Sequence, residues 1–351
     1  VTYTGQKIVI TQPGSYVLTN DIMNSNLPTC IEIRASNVVF DGFGHLIDGL
    51  DTTQSSGIYV HGPTTPVSNV TIRDVRVQDW HYGVFLSGAR DSRVEAATLS
   101  SNVFSGVIAY DNAVGNTIGN STVTGNGYGV MFSDGSAGGA VSDTRIAQNS
   151  CGLYVYLSDG VAVTGNRIAD NSNTGLQLYV SGSCTIYNNL FNNSRNVAFT
   201  GEPFKVNAWS VSPRSAGSPN IMGGPRVGGN YWGQPDGAGF SQTGADANGD
   251  GFIDTALPIA EQNVDYYPLA ANATATPGAV AVPGGGGVPT DTDGDGLYDD
   301  VNGNGRKDFA DTVLYFNQMA WIAVNEPIPG FDYNGNGRID FADVLRLFNR
   351  L

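Results

Sequence analysis

Apolar residues along this chain fall into three ladders with a common step. One opens at a glycine: Gly83, Gly106, Gly129, Gly152 and Gly175 follow one another at one constant interval, and Gly57 precedes the first of them by slightly more. Each glycine begins a run of alternating character, such as Leu153, Tyr154, Val155, Tyr156. The second ladder is Ile72, Val94, Ile118, Val141, Val163, Ile186. The third, five residues later each time, is Val77, Leu99, Val123, Ile146, Ile168, Phe191. Alternation over a few residues predicts short strands, and three strands in each repeat of about 23 residues predict a right-handed parallel β-helix whose stacked coils share one core. The density of glycine and the lack of a 3.6-residue period exclude helical repeats. Asn102, Asn126, Asn149 and Asn171 recur at the turns, where asparagine tolerates left-handed backbone and can ladder from coil to coil.

The same alternation sorts the first strand of each coil into inward residues (Val84 and Leu86, Val107 and Ala109, Leu153 and Val155) and outward ones. The outward residues form two columns. One reads Glu32, Tyr59, Phe85, Ile108, Met131, Tyr154, Gln177; the other reads Arg34, His61, Ser87, Tyr110, Ser133, Tyr156, Tyr179. This strip is apolar and aromatic in its middle and exceeds the contiguous apolar surface a soluble monomer usually shows. It is expected to be covered by the chain's own cap or linker, by another subunit or by sugar rings. Ile108 and Met131 at its centre suit protein packing better than sugar stacking.

The strongest acid candidates are Asp111 and Asp134, at one offset in adjacent coils, with Asp159 two positions later in the next. Carboxylates one coil apart would approach the spacing of a retaining glycosidase. All three also stand where a strand ends and aspartate makes a turn. Arg73, Arg90 and Arg93 share no register with them, so a lyase base is not in evidence and catalysis is not supported by the sequence.

The last sixty residues carry a different pattern, one loop written twice. Asp300, Asn302, Asn304, Asp308 and Asp311 fall at positions 1, 3, 5, 9 and 12, and Asp332, Asn334, Asn336, Asp340 and Asp343 repeat them. Gly305 and Gly337 occupy position 6, and Arg306 and Arg338 offer a carbonyl at position 7. Calcium takes six to eight oxygens from such a loop. Each loop leads into an amphipathic stretch, residues 312–319 and 344–349. A third, partial loop offers Asp246, Asn248, Asp250, the Phe252 carbonyl and Asp254, with Leu257 where the closing acid should stand, so that Asp265 or Glu261 is needed to complete it. Asp291, Asp293, Asp295 and Asp299 form an acidic run that overlaps the first full loop and admits a fourth ion. The expectation is three calcium ions, or four.

Composition adjusts this picture in few respects. The 351 residues carry a net charge of −15 and 47 glycines. The acidity suits divalent cations and argues against nucleic acid or an anionic membrane as partner. Only three lysines, Lys7, Lys205 and Lys307, are present, which leaves no basic patch. No apolar stretch reaches membrane-spanning length. Cys30, Cys151 and Cys184 are an odd set, so at least one thiol is free or pairs between chains. Calcium loops and the sequons at Asn69, Asn120, Asn192 and Asn272 fit a secreted or surface-displayed protein. Residues 271–290, rich in glycine and proline and without charge, read as a linker. The expected domains are a β-helix over 1–205, a calcium-bound cap over 206–270, this linker, and a helical module over 291–351.

Two family resemblances follow. The coil holding Ala35, Asn37, Phe40, Asp41, Gly42, Ile47, Asp48 and Gly49, and the closing segment with Gly228, Asn230, Tyr231, Trp232, Asp265 and Pro268, resemble the NosD-type β-helix family. That resemblance spans residues 28–270 and implies the fold, with a loose link to carbohydrate binding and sugar hydrolysis. NosD itself is tied to copper-site maturation, yet only three histidines are present and none suits copper. The duplicated loop, ending in Asp311 and Asp343 rather than glutamate, resembles a dockerin, the calcium-folded module that plugs extracellular proteins into a cohesin. Dockerin recognition commonly centres on loop positions 10 and 11, here Phe309 with Ala310 and Phe341 with Ala342. The resemblance implies a non-catalytic assembly protein whose dockerin is a calcium-dependent connector, to a cohesin-like partner or to further copies. The second reading is a carbohydrate-active enzyme or carbohydrate-binding module tethered by the same device.

Overall fold

A computed structural model describes residues 1–62, 64–215, 219–271, 279–292, 297–334 and 338–351. Asn272, Asp293, Asp295, Asn336 and Gly337, singled out above, lie outside the described residues. The chain forms two compact units, Val1–Ile221 with Arg226–Ala270, and Met222–Pro225 with Ala271–Leu351.

The first unit is a right-handed solenoid of about eight turns whose strands stack in three parallel sheets of nine, eight and eight strands. The second ladder pairs in register, Ile72 with Val94 and onward to Ile186. The third does likewise from Val77 to Phe191, and Trp232 closes it. All these side chains are buried in one continuous core. The coil glycine is enforced by the stacking itself. A Cβ on Gly129 would stand 2.5 Å from the Gly152 carbonyl oxygen and 2.9 Å from the Ile146 side chain, so only hydrogen fits.

The asparagines do ladder. The side-chain oxygen of Asn126 accepts from both the backbone and the amide of Asn102, at 2.9 Å each, and Asn149, Asn171 and Asn193 continue the same exchange. Their own backbone is not left-handed, contrary to expectation. The positive φ angles belong to the residues just before them, Ser101, Gly125, Gln148 and Asp170. The bend is made one residue early, which frees the asparagine to point inward and satisfy buried backbone groups.

A second ladder runs Asn166, Asn189, Asn230 and ends on the carboxylate of Asp265. Asp265 is fully buried and also accepts from the Trp232 indole at 2.8 Å and the Tyr267 N–H at 3.0 Å. Burial pushes its pKa up to about 6, against the downward pull of the N–H of Asn230 and the Trp232 indole. Asp265 therefore serves the cap as the terminus of a hydrogen-bond chain. Trp209 and Trp232 are buried beside it and seal the last coil.

The second unit centres on helices Phe309–Asn325 and Phe341–Phe348. Asp308 and Asp340 cap them, accepting from Ala310 and Ala342 at 2.8 and 2.9 Å. Its core includes Tyr298, Val301, Tyr315, Ile322, Phe331, Val344 and Leu347. Residues 279–290, read above as linker, belong to it. Val282 is buried in that core, Val280 donates to the Glu326 carboxylate, and Gly286 donates to the Asn302 carbonyl. Small residues there let backbone lie against backbone, a role that composition alone does not distinguish from flexibility.

Candidate functional site

The outward columns of the first sheet are as the alternation predicts. Glu32, Tyr59, Phe85, Ile108, Met131, Tyr154 and Gln177 are register partners from strand to strand. Beside them run His61, Ser87 and Tyr110, then Ser133, Tyr156 and Tyr179. What they form is a groove of about 460 Å³ lined by Tyr82, Phe85, Phe104, Tyr110, Tyr154 and Tyr156 among others.

Its cross-section corrects the sequence reading. Ile108 and Met131 face outward but are only 4% and 8% exposed. They are the floor. Tyr82, Phe104 and Tyr128 stand over one side, a row that the columns did not include. Tyr82 and Tyr128 open their strands just before a coil glycine, and Phe104 stands two residues before Gly106, at the bend that precedes its strand. The rings succeed one another from coil to coil at near the coil spacing of ~4.8 Å: Tyr82 to Phe104 at 5.4 Å, Phe104 to Tyr128 and Tyr128 to Tyr154 at 5.3 Å, Tyr156 to Tyr179 at 4.7 Å. Such offset and tilted contacts hold the rings in fixed orientations. Burial raises the Tyr82 and Tyr128 pKa values and takes Tyr154 to about 12, so these phenols are neutral donors and acceptors.

The three acids are held as turn and surface groups. Asp111 and Asp134 have φ of 58° and 53° at strand ends. The Asp134 carboxylate accepts from the Ser133 hydroxyl and lines the groove, and Asp111 accepts from Asn112. Asp159 is exposed, accepts from the Gly182 N–H and pairs with Lys205 at 2.9 Å.

At the N-terminal end of the same face a cluster appears that the lysine count had argued against. Glu32 is buried, and Lys7, Arg34 and His61 all reach it, at 2.5, 2.6 and 2.6 Å. His61 stacks on Tyr59 with 4.2 Å between centroids. Burial pushes the Glu32 pKa up, but hydrogen bonds from His61, Lys7 and Arg34 outweigh it and take the group down to about 2.

The loops of the calcium pattern are closed by their own hydrogen bonds. In the first, Asp300 accepts from Asn304 and Gly305, Asn302 from Asn304, and Asn304 from Arg306. Asp311 accepts from Asn302 and Asp308, and Asp343 from Asn334 and Asp340 at equivalent positions. The Asp246 loop reproduces the first four bonds at the same offsets, through Asp246, Asn248, Asp250, Gly251 and Phe252. There Asp254 bends back to the Ala247 N–H, while Asp265 is committed to the asparagine ladder. Asp299 is likewise engaged, by Thr292 at 2.7 Å and Lys307 at 3.1 Å, whereas Asp291 has its own contacts. Among the described residues no three His, Cys, Asp or Glu side chains gather as a metal-holding group.

Phe309 and Phe341 are 60% and 51% exposed, with Ala310 and Ala342 exposed beside them. Each phenylalanine meets a second one from the opposite helix. Phe309 packs edge-on against Phe348 at 6.0 Å, and Phe341 against Phe316 at 5.9 Å.

These features define a parallel β-helix protein with an aromatic groove along one sheet. The chain belongs to the family described as periplasmic copper-binding protein (NosD), whose model matches residues 14–237. No curated protein matches the chain. Among solved structures it is similar in fold to the enzymatically active domain of tailspike protein 2 of bacteriophage CBA120, with 15% identity, 66% of this chain and 41% of that one covered, and a TM-score of 0.45. It is similar also to the periplasmic alginate epimerase AlgG, with 18% identity, 56% and 59% covered, and a TM-score of 0.40. The chain thus spans less than two-thirds of either structure's own length.

Copper does not fit the residues present. Copper sites need converging imidazole, thiolate or thioether groups. His45 is held by Asp21, His61 by Glu32, and His81 lies between Tyr82 and Phe104 with its pKa depressed by burial. Cys30, Cys151 and Cys184 are free and separately buried, and burial pushes their thiols to about 12, 12 and 11. Among the described residues no helix is long and apolar enough to cross a membrane.

Proposed function

We propose that this chain is an extracytoplasmic β-helix that binds a polysaccharide along the aromatic groove of its first sheet. The burial of Ile108 and Met131 carries the reading. With the aliphatic side chains reduced to a floor, the groove offers ring faces and Tyr110, Ser133 and Asp134 as hydrogen-bonding groups. Ring faces suit the C–H surfaces of sugars, and the polar groups suit their hydroxyls, whereas a protein partner would be expected to seat apolar side chains on exposed aliphatics. The role is read as binding rather than turnover, because Asp134 is the one acid that lines the groove, while Asp111 stands at an exposed turn and Asp159 is paired with Lys205.

Affinity electrophoresis of the full chain in a panel of soluble polysaccharides tests this. The wild type is retarded by at least one of them, and a Tyr110→Ala, Tyr156→Ala double variant that keeps its melting temperature is not. Equal mobility of the two proteins in every gel refutes the reading. Cleavage of a polysaccharide that disappears in Asp134→Asn replaces it with the enzymatic one.

The C-terminal unit is proposed as a calcium-organised, dockerin-type connector. Asp300, Asn302, Asn304, Asp308 and Asp311, with the Arg306 carbonyl, would hold one ion. Asp332, Asn334, Asn336, Asp340, Asp343 and the Arg338 carbonyl would hold a second, and Asp246, Asn248, Asp250, Asp254 and the Phe252 carbonyl a third, in the cap. Calcium would offset the repulsion between these carboxylates, so its binding energy is part of the folding energy. The exposed phenylalanines support a protein partner at this unit, since apolar rings left in water are the usual mark of an interface.

A further inference from the structure

We infer that the N-terminal end of the groove is a subsite for an anionic substituent, so that the ligand is an acidic polysaccharide carrying carboxylate or sulfate groups. This rests on the groove reading above and adds the charge of the ligand to it. The subsite is the cluster of Lys7, Arg34 and His61 around Glu32. Glu32 stands in the same column as Phe85, two strands before it, or about 10 Å along the face. A sugar chain lying on the rings and running on in that direction meets these cations next.

The count of charges matters here. Glu32 is buried and ionised and offsets one of the two permanent cations. One partner would satisfy it, yet three groups converge, and the Lys7 and Arg34 side chains keep 39% and 40% of their surface in solvent. The remainder is a positive excess on a chain whose net charge is −15. From Tyr59 to Gln177 in the first column and from Ser87 to Tyr179 in the second, no outward residue is charged. The acid that lines the groove, Asp134, follows a strand four steps further on, about 19 Å away. The face is therefore positive at its N-terminal end and uncharged along the rings, with Asp134 at the edge of the groove. A polyanion is repelled by the molecule as a whole and can be held only where the local sign is reversed, which fixes its placement along the groove.

The test is calorimetric titration of the full chain with three oligosaccharides: a galacturonate pentamer, its carboxyl-reduced neutral counterpart, and that counterpart sulfated. Wild type is expected to bind at least one acidic oligomer about fivefold more tightly than the neutral one, the effect of one or two partly exposed ion pairs. The two acidic arms distinguish carboxylate from sulfate. A Lys7→Ala, Arg34→Gln double variant should lose that preference while binding the neutral oligomer as before. Arg34→Lys, which keeps the charge and a partner for Glu32, should retain it and guards against a fold defect. Equal binding of acidic and neutral oligomers by the wild type overturns the inference and leaves the groove reading intact. So does a preference that survives in the double variant, or one lost as completely in Arg34→Lys. Failure of all three oligomers to bind overturns both.

Discussion

Replacing Asn126 with alanine should test whether the asparagine ladder holds the coils at their spacing. The Asn126 oxygen accepts from the Asn102 N–H and amide at 2.9 Å each, and its amide donates to Leu99, Thr124 and Asn149 at 3.1, 3.1 and 2.9 Å. The site is buried, so water cannot replace these partners. Losing the acceptor strands the Asn102 N–H, worth about 1–3 kcal/mol, and the other bonds are worth about 1 kcal/mol or less each in net terms. The sum is about 3–5 kcal/mol, felt locally because solenoid coils are stabilised by their neighbours. Hydrogen exchange in residues 99–152 is the sharper assay, with urea unfolding followed by fluorescence of Trp80 as a second readout. Asn173→Ala, at an exposed bend without a left-handed backbone, should change little. A loss below about 1 kcal/mol in Asn126→Ala would show that the backbone ladders alone carry the stack and that the asparagines merely fill space.

Three further outcomes follow. Chelation of calcium should raise hydrogen exchange across 297–334 while leaving the ladder of Val77 to Phe191 protected; unchanged exchange in the helical unit would remove calcium from its folding. Phe309→Ala and Phe341→Ala should each cost about 1 kcal/mol or less in a thermal melt of the calcium-loaded chain, since both rings are more than half exposed, rather than the ~3–5 kcal/mol of a core phenylalanine. Loss of partner binding is expected only when both are changed. The raised pKa of Asp265 favours the fold when the group is protonated. Its stabilisation is fully present below about pH 4 and is lost as pH rises through about 6, a difference of about 3 kcal/mol in the cap. Asp265→Asn should flatten that dependence, and a wild-type melting temperature that does not fall between pH 5 and 7 would contradict the burial argument.

The core ladders and the outward columns were legible in the sequence because burial imposes a strict repeat: every side chain in a column meets its counterpart one coil away. The alternation places Ile108 on the correct face for that reason, yet says nothing of how far it is shielded. Tyr82 and Phe104, which line the groove with it, stand at or just before the start of a strand, where alternation is not yet established. The Glu32 cluster was hidden for a different reason. Lys7 and His61 are far apart in the sequence and fall in coils before the regular spacing begins, so only the fold brings them together. Asp265 looks like a spare metal ligand in the sequence because its place at the end of the Asn166 ladder depends on a return of the chain that no local pattern announces. The same holds for residues 279–290, whose composition describes a tether and whose backbone is packed.

Register pairing along the first sheet has a consequence for the evolution of such a groove. Every coil contributes one row of outward residues and one increment of about 4.8 Å. Deleting or duplicating one whole repeat, for instance the segment from Gly106 to Tyr128, would shorten or lengthen the groove by one row and leave the remaining rows in their order. The face is in this sense a ruler with a graduation written into its gene, and its length can change in whole steps without a new surface being invented.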